Sequence, residues 1–178
     1  MRELSRRGVD AVIIGGTAVE LASKSQKLTG DLDLFPLNMS PLLEEDFYRA
    51  LAEELGWGFG YTDLGTPRLV ARVSSGDLAV EFYENIHDFY VPPAMLDSAR
   101  TKRIGGLEIK VIQPEDYVVL KARAGGEEDL EKLKELSRLA SKGKLKLNPR
   151  LVKRGIEYFP EEERPVIERR LRDCSFNI

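Results

Sequence analysis

Two aspartates stand one residue apart in the first fifth of the chain, and a glycine pair precedes them. The aspartates are Asp31 and Asp33 in "GDLDLFP", and the glycines are Gly15 and Gly16 at the end of "DAVIIGG". Alternate residues of a strand share a face, so the two carboxylates would lie side by side. Such a pair repels itself unless a bound cation or a basic side chain neutralises it. The spacing therefore indicates either a cation site or a basic clamp.

Three predicted elements position these residues. The apolar run "DAVIIGG" is typical of a buried strand, and "TAVELASKSQK" has helix-forming composition with Thr17 as its N-cap. The alternating segment "GDLDLFP" ends at Pro36 and predicts a second strand. A glycine turn that leads into a helix exposes free N–H groups to phosphate. A phosphate site on Gly15, Gly16 and Thr17 would then adjoin the cation site.

The remaining pattern predicts more of the sheet and then a helical region. A proline after Ser40, acidic residues in the first turns and Gly56 after the last turn predict a helix over about 41–55. Alternating runs on either side of 74–77 and of 105–106 predict two hairpins. After Pro114 the pattern is helical. We therefore expect a core domain over 1–112 and a C-terminal helical region over 113–178.

The order of these motifs resembles the nucleotidyltransferase superfamily related to DNA polymerase beta. Its signature is an apolar residue, Gly-Gly or Gly-Ser, a helix, and Asp-x-Asp on a strand, which here reads Ile14-Gly15-Gly16 and Asp31-Leu32-Asp33. The family adds a third carboxylate on a later strand, for which "LAVEFYE" offers Glu81. The resemblance implies an α/β (α+β) fold, in which a mixed β-sheet with flanking helices precedes the helical region.

The same resemblance implies the chemistry of nucleotidyl transfer. Asp31, Asp33 and Glu81 would be the catalytic metal ligands and would hold Mg²⁺ or Mn²⁺. An NTP would be the substrate, with its triphosphate on the glycine turn. An acceptor hydroxyl would attack the α-phosphorus while pyrophosphate leaves.

A closer resemblance is to the AbiEii-type toxin-antitoxin nucleotidyltransferases. It is carried by "IIGGTAVEL", "KLTGDLDLF", "GLEIKVIQPEDYVVLKA" and Asp129. It implies that Lys121 binds nucleotide, with Lys24 and Lys27 as weaker candidates, and that a cognate antitoxin protein is a partner. Where that family has Arg-x-Lys-Asp, this chain reads Gly126-Glu127-Glu128-Asp129.

Two main functional hypotheses follow. The first is a metal-dependent nucleotidyltransferase, of toxin type in one version, that modifies an RNA, a protein or a small molecule; the carboxylate set favours it. The second is a catalytically silent member that binds nucleotide or a partner protein, which the substitutions at Gly126 and Glu128 favour. A plain RNA-binding module is a third class and would depend on the tract 132–154 alone. That tract holds nine basic residues and one acidic residue, within a chain of net charge −3.

Composition indicates the cellular compartment and the kind of source organism. No apolar run reaches the roughly 18 residues that span a membrane, and the basic residues of 1–8 precede no cleavable apolar segment. The one cysteine, Cys174, can close no intrachain disulfide, so we expect a cytoplasmic protein. Abundant charge beside two Gln, four Asn and one Cys is the bias reported for hyperthermophile proteins, which indicates a thermophilic source.

Overall fold

The structure is a computed structural model that describes residues 1–23, 29–74 and 76–178. These residues form eight helices and seven strands. Their order is α1 (Arg2–Arg6), β1 (Ala11–Ile13), α2 (Gly16–Ala22), β2 (Leu32–Pro36), α3 (Glu45–Leu55), β3 (Gly58–Tyr61), β4 (Pro67–Val73), β5 (Gly76–Phe82), α4 (Pro93–Asp97), β6 (Arg100–Ile104), β7 (Leu107–Val111), α5 (Pro114–Ala124), α6 (Glu127–Ser141), α7 (Pro149–Glu157) and α8 (Arg164–Asp173).

All the described strands belong to one mixed sheet, in the order β3-β4-β5-β2-β1-β7-β6. β2 pairs in parallel with β5, and β1 pairs in parallel with β7. The other pairings are antiparallel and include the predicted hairpins β4–β5 and β6–β7. The predicted fold class, a mixed sheet with helices and a C-terminal helical region, is confirmed.

The chain divides into two compact units. The described residues of the first unit are 1–17, 29–74, 76–90 and 100–111, which include the whole sheet. Its core contains Val12, Leu34, Leu69 and Phe82, all 0% exposed. β1 is a continuous apolar run that is buried throughout, as is typical of a central strand. Tyr48 of α3 packs on this core with its ring centroid 4.6 Å from that of Phe82.

The second unit is a set of helices around α5. Its described residues are 18–23, 91–99 and 112–178. α5 packs against α6, α7 and α8, so its apolar side chains are covered by three neighbours. The fully buried side chains include Val118, Val119, Leu133, Leu171 and Phe159.

α3 begins later than the predicted start near residue 41. Ahead of the helix, Ser40 N–H donates to Glu44 at 2.7 Å and Leu42 N–H to Glu84 at 3.3 Å. The Ser40 hydroxyl also donates to Glu84 at 2.7 Å. Residues 41–44 form a turn, and these side chains satisfy N–H groups that have no intrahelical acceptor at a helix start.

The C-terminus of α5 is closed by an arginine from α8. Gly125 follows the helix with a φ of 65°, in the left-handed region that favours glycine. The Arg170 guanidinium donates to the carbonyls of Ala122 at 2.9 Å and Arg123 at 2.7 Å. A Cβ at Gly125 would lie 2.0 Å from Cζ of Arg170. The position therefore requires glycine both for its backbone and for its space.

Gly125→Ala should lower the free energy of unfolding by about 3 kcal/mol, because it strains the backbone and displaces a guanidinium that donates two hydrogen bonds. The matched control is Gly143→Ala, with a φ of 68° and open space around the Cβ. That variant should cost about 1–2 kcal/mol from backbone strain alone. Urea titration measures both. Equal losses would show that the Arg170 contact contributes nothing.

Candidate functional site

Two of the predicted metal ligands stand opposite each other on central strands. The parallel register of β2 and β5 pairs Asp33 with Glu81, so both side chains project from the same face of the sheet. Asp31 lies just before β2, where its side chain is 45% exposed, while that of Glu81 is 12% exposed. Residues separated by about fifty positions are thus neighbours through one strand pairing.

The Asp33 carboxylate occupies space that Gly15 leaves free. A Cβ at Gly15 would lie 1.4 Å from Oδ2 and 2.3 Å from Cγ of Asp33. The approach is close because β1 pairs with β2, and Ile14 N–H donates to the Asp33 carbonyl at 3.0 Å. Gly15 is therefore needed for two reasons: the tight turn expected from the sequence, and the space that the Asp33 carboxylate occupies.

Thr17 has a different local role from the predicted N-cap. It lies inside α2, which begins at Gly16, and it is 4% exposed. Its hydroxyl donates to the Asp31 carbonyl at 3.3 Å. The hydroxyl therefore fixes the residue that precedes β2, and only the backbone N–H of Thr17 remains for phosphate.

An arginine that the sequence did not single out bridges two of the three carboxylates. Arg68 lies on β4 opposite Glu81. Its Nε is 3.3 Å from Oε1 of Glu81, and its Nη2 is 3.8 Å from Oδ2 of Asp31. The Nε contact has ion-pair distance without hydrogen-bond alignment. Arg68, Asp31 and Glu81 form what we call the arginine bridge. The basic clamp that the spacing allowed was one on Asp31 and Asp33, whereas the arginine bridge joins Asp31 to Glu81.

Tyr83 holds the other oxygen of Glu81. Its hydroxyl donates to Oε2 of Glu81 at 2.5 Å, and its ring stacks on Phe89 with centroids 5.0 Å apart. Burial raises the pKa of Tyr83 well above its usual value, and the bond to Glu81 and the charges of Asp33 and Asp31 raise that pKa further. Tyr83 is therefore a donor that stays protonated and orients Glu81.

The predicted nucleotide-binding lysine lies in the second unit and is already paired. Lys121 of α5 forms an ion pair with Asp129 of α6 at 2.6 Å. The other oxygen of that carboxylate accepts Gly126 N–H at 3.2 Å. The weaker candidates Lys24 and Lys27 lie outside the described residues. Lys121 would bind phosphate only by sharing or exchanging Asp129.

The three predicted ligands suit a divalent cation in chemical type, since carboxylate oxygens are what Mg²⁺ and Mn²⁺ prefer. The space beside Gly15 also accommodates the Asp33 carboxylate on the face that Glu81 shares. Yet within 1–23, 29–74 and 76–178, no three Asp, Glu, His or Cys side chains are arranged so that they could hold a metal ion. Because Glu81 is engaged by Arg68 and Tyr83, a cation would have to displace the Arg68 contacts.

The basic tract is a second candidate surface, confined to the second unit. Lys132 pairs with Glu135 at 2.7 Å. Seven other cations are exposed and ion-pair with no carboxylate of the described chain; they are Lys134, Arg138, Lys142, Lys144, Lys146, Arg150 and Lys153. The uncompensated positive charge makes this surface a candidate for binding a polyanion.

None of the described helices has both the length and the apolar character to cross a membrane.

Gly15→Ala should lower the free energy of unfolding by about 1–3 kcal/mol, because the new methyl group overlaps the Asp33 carboxylate. Gly60→Ala on β3 is the control, since nothing lies within 4 Å of its Cβ position. Adding Asp33→Ala to Gly15→Ala should recover part of the loss, as expected for residues in contact. Chemical denaturation of the wild type, the single variants Gly15→Ala, Asp33→Ala and Gly60→Ala, and the double variant measures this, and strictly additive losses would contradict it.

Comparison with solved structures identifies similar folds. The chain is similar to an antigenic nucleotidyltransferase-like protein from Paracoccidioides brasiliensis, with a TM-score of 0.58 and 16% identity over 98% of this chain and 84% of that chain. It is also similar to the antibiotic-resistance factor ANT(2'')-Ia, with a TM-score of 0.47 and 15% identity over 97% of this chain and 86% of that chain. No curated protein matches the sequence significantly.

A family model matches almost the whole chain. The family is described as "Nucleotidyl transferase of unknown function (DUF2204)", and the match covers residues 1–173. This match, together with the fold of the Paracoccidioides protein, confirms the nucleotidyltransferase superfamily that the Gly-Gly and Asp-x-Asp motifs indicate. The chain belongs to this family of nucleotidyl transferases.

Proposed function

We propose that the protein is a metal-dependent nucleotidyltransferase that transfers a nucleotidyl group from an NTP to an acceptor hydroxyl. The observation that carries the proposal is the register of β2 and β5, which pairs Asp33 with Glu81 beside the space left by Gly15. Membership of a nucleotidyl transferase family supports the reaction class. The metal, the acceptor and the roles of individual residues are parts of the proposal.

The proposed site assigns one task to each group. Asp31, Asp33 and Glu81 would hold Mg²⁺ or Mn²⁺, which when bound supplies positive charge for the phosphates and the attacking oxygen. The N–H groups of Gly15, Gly16 and Thr17 would bind the triphosphate. Tyr83 keeps Glu81 oriented. The acceptor oxygen would form its bond to the α-phosphorus as pyrophosphate leaves, a reaction that depends chiefly on positioning and charge.

Lys121 would contribute a further positive charge to the triphosphate. Its ammonium is held by the ion pair with Asp129 at 2.6 Å. An ion pair that is part exposed is weak enough to exchange for a phosphate oxygen. This role rests on the resemblance to AbiEii-type enzymes, which also supports a toxin activity restrained by a cognate antitoxin protein.

Among the possible acceptors, the basic tract favours RNA over a protein or a small molecule. Its unpaired cations would contact phosphates, with the release of counterions as the driving force. We also propose a cytoplasmic location and a thermophilic source from composition, and functional domains that divide at 1–112 and 113–178.

The second candidate function is a catalytically silent protein that binds nucleotide or a partner protein. The arginine bridge favours it, because a guanidinium neutralises the carboxylates that a metal would otherwise need to neutralise. The sequence Gly126-Glu127-Glu128-Asp129 favours it as well, since the Arg and Lys of the AbiEii-type motif are missing. The two candidate functions differ in whether label is transferred from a bound NTP to an acceptor.

Incubation with each labelled NTP, Mg²⁺ and either total RNA or total protein should transfer label to one acceptor class. Asp33→Asn should reduce the transfer rate by about a hundredfold or more, because it removes a charge next to the reacting phosphate. Asp77→Asn is the matched control, since Asp77 lies on the same strand as Glu81 and pairs with the exposed Arg72. Nucleotide binding without transfer to either acceptor would favour the silent protein.

Reversal of Lys142, Lys144 and Lys146 to Glu should weaken RNA binding and flatten its salt dependence. Loss of about three phosphate contacts would reduce the log–log slope by about 2 for single-stranded RNA. Lys132→Glu is the control, because this ammonium already pairs with Glu135; it should change the slope by less than about 1. Filter binding across a salt series measures the slopes. Unchanged affinity and slope in the triple variant would exclude this tract as an RNA site.

A further inference from the structure

The arginine bridge combines three features that are independent of one another. The register between β4 and β5 puts Arg68 directly beside Glu81 on one face of the sheet. The guanidinium also reaches Asp31, which lies just before β2, the strand next to β5. Tyr83 occupies the opposite oxygen of Glu81, so the arginine accounts for one carboxylate oxygen only. Departure of Arg68 would therefore free Oε1 while leaving Glu81 oriented.

The two paired carboxylates also have separate supports. Asp33 rests in the space beside Gly15, at the junction with β1. Glu81 contacts Arg68 from β4, on the other side of β5. Like charges at paired positions of neighbouring strands repel, and each of these two carboxylates has a contact of its own.

We propose that Arg68 acts as an internal cation of the carboxylate site, which neutralises Asp31 and Glu81 in the metal-free protein and must release them before a divalent cation binds. The proposal rests on the proposed function, because it concerns the same carboxylates. Arg68 regulates the site by competition: its charge stabilises the empty site and lowers the affinity for metal.

The exposure of the bridge makes the exchange reversible. The Arg68 side chain is 41% exposed and that of Asp31 is 45% exposed, so water screens their attraction. An exposed ion pair of this kind is weak. The Glu81 carboxylate is only 12% exposed, so Arg68 can move into solvent when another cation takes its place beside Glu81. The strand offers a matched comparison, since Arg72 lies four residues along β4 on the same face, is 91% exposed and pairs with Asp77 at 3.5 Å.

Calorimetric titration with Mn²⁺ tests the competition in the full chain. Arg68→Gln should tighten Mn²⁺ binding about tenfold, because two weak ion pairs no longer oppose the metal. Arg72→Gln should change the affinity less than about twofold, since screened charges at the hairpin end act weakly at that distance. In EDTA, Arg68→Gln should melt below the wild type, yet it should gain more from added Mn²⁺.

The outcomes separate this proposal from the one on which it rests. If wild type and Arg68→Gln bind Mn²⁺ with the same affinity, the role of Arg68 is overturned and the metal site stands. If neither protein binds Mn²⁺, both proposals are overturned. Should Arg68→Gln fail to fold, the arginine Nε–Hε resonances of the wild type decide: Mg²⁺ should shift that of Arg68 and leave that of Arg72 in place. An unshifted Arg68 resonance with bound metal would overturn the proposal.

Discussion

The parallel pairing of β2 with β5 brings acidic side chains from distant parts of the chain onto one face of the sheet, where their charge must be neutralised. Much of the surrounding structure follows from this constraint. Gly15 has no side chain, which leaves room for the Asp33 carboxylate. Tyr83 and Arg68 each take one oxygen of Glu81. The same face therefore contains both the acidic cluster and the contacts that offset the repulsion between its charges.

The fold class could be predicted from the sequence because its signals are local. Alternating and continuous apolar runs mark the strands, and the change after Pro114 marks the helical region. The candidate acids were also found locally, since Asp-x-Asp on a strand fixes their relative direction. Boundaries were less predictable: α3 starts at Glu45, after a turn over 41–44 that is bonded to the side chains of Glu44 and Glu84. Propensity does not reveal bonds to Glu84, which lies some forty residues away.

Arg68 could not be found without the register of a hairpin. The pairing of Val73 with Gly76 sets Arg68 opposite Glu81, and a turn centred one residue later would set it opposite Tyr83 instead. Tyr83 had a simpler signal, because it stands two residues after Glu81 and so shares its side of the chain. The role of Gly15 was found only in part, since the sequence indicates a turn but not the carboxylate that fills the adjacent space. Contacts between strands were the missing information.

The cap on α5 has a consequence for the order in which the second unit forms. Arg170 bonds to the carbonyl of Ala122 across 48 residues of chain. During synthesis at about 5–20 residues per second, α8 is made roughly 2–10 s after the end of α5. Until then the carbonyls of Ala122 and Arg123 lack the Arg170 donor, although Gly125 N–H can already bond to the carbonyl of Lys121. The C-terminal turn of α5, next to Lys121, therefore gains its side-chain cap only when α8 docks.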